Sequence, residues 1–233
     1  MFIGMMTDVL HRIKRKLMKL RLQPIRVYCL HHVCAAFESE SMNPGDWMSI
    51  TAFKIKVTNM QKMGVEFISL KEAYRHISRD LIRCKKYATL TFDDGYVSLK
   101  EILPWLKERK IPATLFINGK YLDGKSYRKN PKEQYLTEEE LWELKYPLIE
   151  IGNHGWEHNH VTEISQVEFE KSFERNVKLL KEHPNYVPFW AYAYGDHTQA
   201  SDEYLKEHHI IPVYINGMKN YDESTVVHRE LMV

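Results

Sequence analysis

From Ile25 onward the chain alternates short apolar runs with amphipathic stretches, and that alternation admits few folds. Strands joined through helices build a parallel sheet whose faces the helices cover. Ile25 to Leu30, Val65 to Ser69, Tyr87 to Phe92, Ala113 to Ile117 and Leu148 to Gly152 read as strands, with further runs around 187–192, 210–214 and 226–233. Ser49 opens a helix with Phe53, Val57 and Met60 on one face, closed by Gly64. Ser69 with Glu72, Thr137 with Glu140 and Ser165 with Glu168 carry the capping-box spacing. The helix after Ser165 turns Phe169, Phe173, Val177 and Leu180 inward, and Pro104 is expected to kink or split the helical stretch 97–110. Seven or eight parallel strands in this order predict an α/β fold, a distorted (β/α) barrel over residues 25–233. A chain of 233 residues with 44% hydrophobic content supports one such core.

Two stretches at strand ends carry chemistry. Thr91-Phe92-Asp93-Asp94-Gly95-Tyr96 sets two adjacent carboxylates at the mouth of an apolar strand, where their repulsion calls for a cation or a proton. Gly152-Asn153-His154-Gly155-Trp156-Glu157-His158 follows another strand and spaces two imidazoles four apart, which within one helical turn puts them on the same side. One carboxylate and two histidines leave a tetrahedral metal with an open position. Each half alone has a plainer reading, an aspartate N-cap beside a solvated neighbour or two histidines on a surface helix. Parallel barrels place their sites at the C-terminal strand ends, where Asp93, Asp94, His154 and His31 all fall.

The pair of motifs, TFDDG followed by a strand ending in GNHxxxH, resembles the polysaccharide deacetylase (NodB-homology) family. Ile111-Pro112-Ala113-Thr114-Leu115-Phe116-Ile117-Asn118-Gly119 is similar to the strand after its first motif, and His31 stands at the histidine of its N-terminal strand. The resemblance runs from about Ile25 to the C-terminus. It implies metal-dependent hydrolysis of N-acetyl groups on a sugar. Asp94, His154 and His158 would hold a divalent metal, by default zinc. Asp93 would be the base, and the backbone N–H of Tyr194 would hold the oxyanion. Ala191-Tyr192-Ala193-Tyr194-Gly195 departs from the family's third motif by placing Ala191 where an arginine usually holds the base. The family's Asp-x-x-Asp-Trp element is not visible, and the Leu-x-His that usually supplies its general acid has no clear counterpart, which leaves His228 and His31 as candidates, and His160 reads as a bystander. Hydrolysis of O-acetyl esters or of another amide, and a sugar-binding module without catalysis, are the rival readings.

The remaining features bound partners and location. A formal net charge of +2 without a basic block in the body of the chain argues against a nucleic-acid track. Cys29, Cys34 and Cys84 form no paired framework and read as thiols in a reducing compartment. Residues 1–24 make a basic amphipathic segment: Leu10, Ile13, Leu17 and Leu20 form a stripe, flanked by Arg12, Lys14, Arg15, Lys16, Lys19 and Arg21, and Pro24 ends it. It lacks the layout of a signal peptide and the length of a membrane span. The expectation is a cytoplasmic enzyme acting on an acetylated carbohydrate. The segment either packs on the barrel or lies on the inner membrane surface, where its charges meet anionic lipid.

Overall fold

The computed structural model describes residues 24–35, 47–79, 85–125, 134–218, 220 and 225–232. The amphipathic segment 1–22 and Cys84 lie outside the described residues. Seven parallel strands close a barrel: β1 (Arg26–Leu30), β5 (Lys86–Phe92), β6 (Ala113–Ile117), β7 (Ile149–Asn153), β8 (Tyr186–Ala191), β9 (Ile211–Ile215) and β10 (Val227–Leu231). Pairing of β1 with both β5 and β10 seals the ring. The expected second strand, β4 (Val65–Phe67), is the eighth strand and stands outside this ring. It pairs with Lys86 to Ala88 at the start of β5, while β6 takes the same edge further on at Thr91 and Phe92. A separate parallel pair joins β2 (His32–Cys34) to β3 (Trp47–Ser49). The pairing is tied by the Trp47 indole N–H, which donates to the Cys34 Sγ at 3.1 Å.

Local signals shape the helices. Ser49 caps α1 (Ile50–Lys62), which buries Phe53, Val57 and Met60. The stretch after Tyr96 divides into a 3-10 turn, Val97–Glu101, and α3 (Leu103–Arg109), with Pro104 in the first helical turn, where its missing N–H forfeits no bond. Capping boxes form at Thr137, opening α4 (Glu138–Glu143), and at Ser165, opening α5 (Gln166–Leu180). Within α5 the third inward position is Asn176 rather than Val177, which is only partly covered. Among the described residues no helix is long and apolar enough to cross a membrane.

The expected capping box at Ser69 forms only in half. Ser69 Oγ accepts from the Glu72 amide at 3.2 Å, but the Glu72 carboxylate turns to Arg75 and His76. The first amides of α2 (Leu70–Ser78) go instead to a carboxylate from across the barrel. Glu150, on β7, accepts from Leu70 N–H at 3.0 Å, from Lys71 N–H at 3.4 Å and from the Thr114 hydroxyl at 2.9 Å. A buried anion thus sits on the positive end of a helix. Leu70, Ala73 and Ile77 of that helix share one apolar cluster with the inward residues Val27, Phe116, Phe189 and Val213, so α2 plugs the N-terminal end of the barrel. Glu150→Ala should lower stability by about 2–3 kcal/mol, the worth of hydrogen bonds to a buried charge. Thermal unfolding would show this as a drop of roughly 4–12 °C.

Candidate active site

Strand alternation decides which side chains meet at the open end of the barrel. The registers put Thr91 beside Cys29 and Thr114, and Thr114 beside Glu150. In phase with these inward positions stand Asp93 and His31, each two residues further along its chain segment, and His154, four residues beyond Glu150. Arg229 shares the phase of Val227 and Leu231 on β10, and Leu231 pairs with Cys29. Asp94, the next residue after an inward one, would face outward, but its φ of 71° turns it back toward the mouth. Both carboxylates are therefore buried at the same place, Asp93 at 3% and Asp94 at 1% exposure.

The two have different partners. Arg229 donates to both oxygens of Asp93, Nη1 to Oδ1 at 2.5 Å and Nη2 to Oδ2 at 2.8 Å, and is itself wholly buried. Its Nη1 also reaches Thr91 Oγ1 at 3.1 Å, and that hydroxyl donates onward to the Tyr28 carbonyl at 2.8 Å. Its guanidinium carbon lies 5.1 Å from the centre of the Phe116 ring. Burial alone would raise the Asp93 carboxyl. Burial is the largest single influence, but the charge of Arg229, the charge of His154 and the guanidinium hydrogen bonds together outweigh it and hold Asp93 at about 2. Arg229 thus stands at the end of the barrel where the sequence offered Ala191. It comes from the last strand, one residue after the candidate His228.

Asp94 faces the two imidazoles. Its Oδ1 lies 3.3 Å from His154 Nε2 and 3.0 Å from His158 Nε2. Burial pushes the Asp94 carboxyl up, but the hydrogen bonds to both histidines prevail and hold it well below the ordinary carboxylate range. His154 Nδ1 lies 2.8 Å from the Ala191 carbonyl, which only accepts, so that nitrogen carries a proton. Nε2 then faces Asp94 with either a second proton or a lone pair directed at a shared cation. Ligands of a tetrahedral zinc, bonded at about 2.0–2.2 Å, stand roughly 3.3 Å apart. The spacing and the donor set of Asp94, His154 and His158 fit such an ion.

The histidine pair does not sit on a helical turn. The chain leaves β7 as a loop in which Gly155 has φ 86° and His158 φ 53°. The rings come together, 5.0 Å apart, through those two left-handed residues. A second group, Cys29, His31 and Asp93, also brings ligand atoms within 4.8 Å. The bidentate Arg229 already neutralises Asp93 there, and burial, with Asp93 beside it, pushes the Cys29 thiol well up. That group is a proton-bearing cluster rather than a cation site: Cys29 Sγ donates to Asp93 Oδ2 at 3.4 Å.

The other sequence candidates divide by position. His31 stands with Asp93 at the mouth. His228 points to the outer side of β10, where it accepts from the Asn216 amide at 3.1 Å and faces the Tyr214 ring at 5.9 Å. One residue of register separates it from the barrel interior. Tyr194 has φ 57°, half of its surface exposed, with its ring edge against His158 at 4.6 Å. Its face stacks on His160 at 3.7 Å, so His160 belongs to the rim, with its Nδ1 3.3 Å from Asp196. Arg229 was the residue that motif reading missed. The signal was the alternation of Val227, Arg229 and Leu231 on the last strand.

A family model described as polysaccharide deacetylase matches residues 82–213, more than half of the chain. A protein of Geobacillus stearothermophilus, described as an uncharacterized 30.6 kDa protein in the fumA 3' region, is 30% identical over 102 residues. That match spans 42% of this chain and only 33% of the relative. Among solved structures, IcaB from Ammonifex degensii superposes with a TM-score of 0.75 at 23% identity, covering 91% of this chain and 94% of that one. The Streptococcus pyogenes deacetylase PplD, in complex with acetate, gives 0.72 at 19% identity over 90% and 92%. A de-N-acetylase from Aggregatibacter actinomycetemcomitans gives 0.70 at 18% over 89% and 94%. At these identities the solved structures speak for the barrel, and the family match speaks for descent: the chain belongs to the polysaccharide deacetylase family.

Proposed function

We propose that the chain is a metal-dependent hydrolase that removes N-acetyl groups from an acetylated sugar. The observation that carries this reading is the division of labour between two adjacent carboxylates, Asp93 locked to Arg229 and Asp94 facing two imidazoles. Asp94, His154 and His158 would hold the divalent ion, zinc by the chemistry of the donors, which when bound supplies Lewis-acid polarisation of the acetyl carbonyl and of a water. Asp93 accepts the proton of the attacking water. Arg229 keeps it ionised and fixes its plane, so the base is ready in one orientation. His31, on the same inward phase as Asp93, is placed to protonate the departing amine, whereas His228 faces away from the mouth. Tyr194 stands at the rim with its ring against His158, and its backbone N–H is the donor we assign to the developing oxyanion, which gains from a fixed donor.

Two solved relatives support the direction, one described as a de-N-acetylase and one solved with acetate. The test is acetate release from a panel of N-acetylated and O-acetylated oligosaccharides and sugar lipids. Release from the N-acetyl set, with the ester set slower, is the expected result. Release from esters alone would replace the amide reading, and no release from either would favour a binding module. If the acetylated sugar is carried on a lipid, the basic segment 1–22 should bring the protein down with anionic vesicles at low salt, and deleting it should abolish that.

A further inference from the structure

The loop that carries the histidine pair makes almost no use of its own backbone. Four successive carbonyls, from His154 to Glu157, each accept a hydrogen bond from the segment after β6. The Asn118 side-chain amide donates to the His154 carbonyl at 2.7 Å and to the Gly155 carbonyl at 3.1 Å. Lys120 N–H donates to the Trp156 carbonyl at 3.1 Å, and the Tyr121 hydroxyl to the Glu157 carbonyl at 2.9 Å. Asn118 is 1% exposed, and its orientation is unambiguous, since a flipped amide would set oxygen against two oxygens. The segment is itself pinned. Gly119 N–H donates to Asn176 Oδ1 at 2.8 Å, and Asn176 Nδ2 reaches the Ile117 carbonyl at 3.1 Å. A Cβ on Gly119 would lie 2.6 Å from the Trp156 ring, so this close approach needs glycine.

We propose that Asn118, with Tyr121, is a positioning residue for the metal centre. It splints residues 154–158 and so sets the distance between the two imidazoles without touching the ion. Two left-handed residues in the loop require such support, because nothing helical holds His158 above His154. Outer partners of this kind tune affinity by orienting the ligands. The inference rests on the metal reading above, and one of its readouts does not depend on it.

The experiment measures zinc affinity by competition with a chelator, and hydrogen exchange of residues 155–158 in the metal-free protein. Asn118→Ala should weaken zinc binding by about 10–100-fold. Tyr121→Phe removes one hydroxyl and should weaken it by about two- to tenfold. Both should speed exchange in the loop. Thr137→Ala, which removes a helix cap at α4, should lower stability while leaving zinc affinity and loop exchange at wild-type values. If Asn118→Ala does not fold, Asn118→Ser and Tyr121→Phe give the same two readouts. Unchanged affinity and unchanged loop exchange in these variants overturn the proposal. If the wild-type chain binds no zinc, the metal reading fails by itself; faster loop exchange in the variants then still upholds the splint, and unchanged exchange overturns it.

Discussion

Arg229→Met should destabilise the protein by about 3–5 kcal/mol at neutral pH, because it leaves the Asp93 carboxylate buried and without its countercharge. For a chain of this size that corresponds to a fall in Tm of roughly 6–20 °C. The pH dependence carries a sign that a general packing defect would not. In the wild-type protein Asp93 is held at about 2, below its unfolded value near 3.9. The pair therefore contributes fully above about pH 4, and the contribution is lost as pH falls toward 2. Without Arg229 burial raises the carboxyl, so the gap between variant and wild type should be widest near pH 7 and should narrow on acidification. Arg229→Lys keeps the charge but loses the two-pronged geometry, and should fall between the two in stability. Turnover should drop in both variants, since a base that is partly protonated or turned in its plane accepts protons poorly.

Asp93→Asn should separate binding from chemistry. The amide keeps the shape of the carboxylate but cannot take the proton from water, so turnover should fall by about a hundredfold or more while bound metal stays near the wild-type level. Metal should be retained because Asp93 is not among the three groups proposed to hold the ion; its two oxygens are taken by Arg229. Arg229 would then face a neutral partner, and some loss of stability should accompany the loss of rate. Unchanged turnover would make Asp93 an orienting group and move the base elsewhere. Turnover and metal lost together would merge two roles that the geometry keeps apart.

What was legible in the sequence was local. Ser49, Thr137 and Ser165 announced their helices because a cap is a contact over three residues. Asp93, Asp94 and His154 were readable because they stand at the ends of two apolar strands, the first two after β5 and the third after β7. What stayed hidden depends on closing the ring. Arg229 meets Asp93 across 136 residues, and only the pairing of β10 with β1 tells which side of the last strand faces inward. With the phase known, Arg229 enters the barrel and His228 leaves it. The placement of β4 outside the ring was equally invisible, since its three residues do not say which part of a neighbour's edge they will occupy. The spacing of His154 and His158 suggested a helical turn. The loop reaches the same convergence through positive φ at Gly155 and His158, with its carbonyls bonded to Asn118, Lys120 and Tyr121.

The most direct test of the account is the metal stoichiometry of three purified chains after stripping and zinc titration: wild type, Asp93→Asn and His154→Ala. One ion per chain is expected for the first two. For His154→Ala occupancy should lie well below one, because an open site with three protein ligands does not survive the loss of one. Full occupancy in His154→Ala, or no zinc bound by the wild-type protein, would contradict the assignment of Asp94, His154 and His158 as the metal centre.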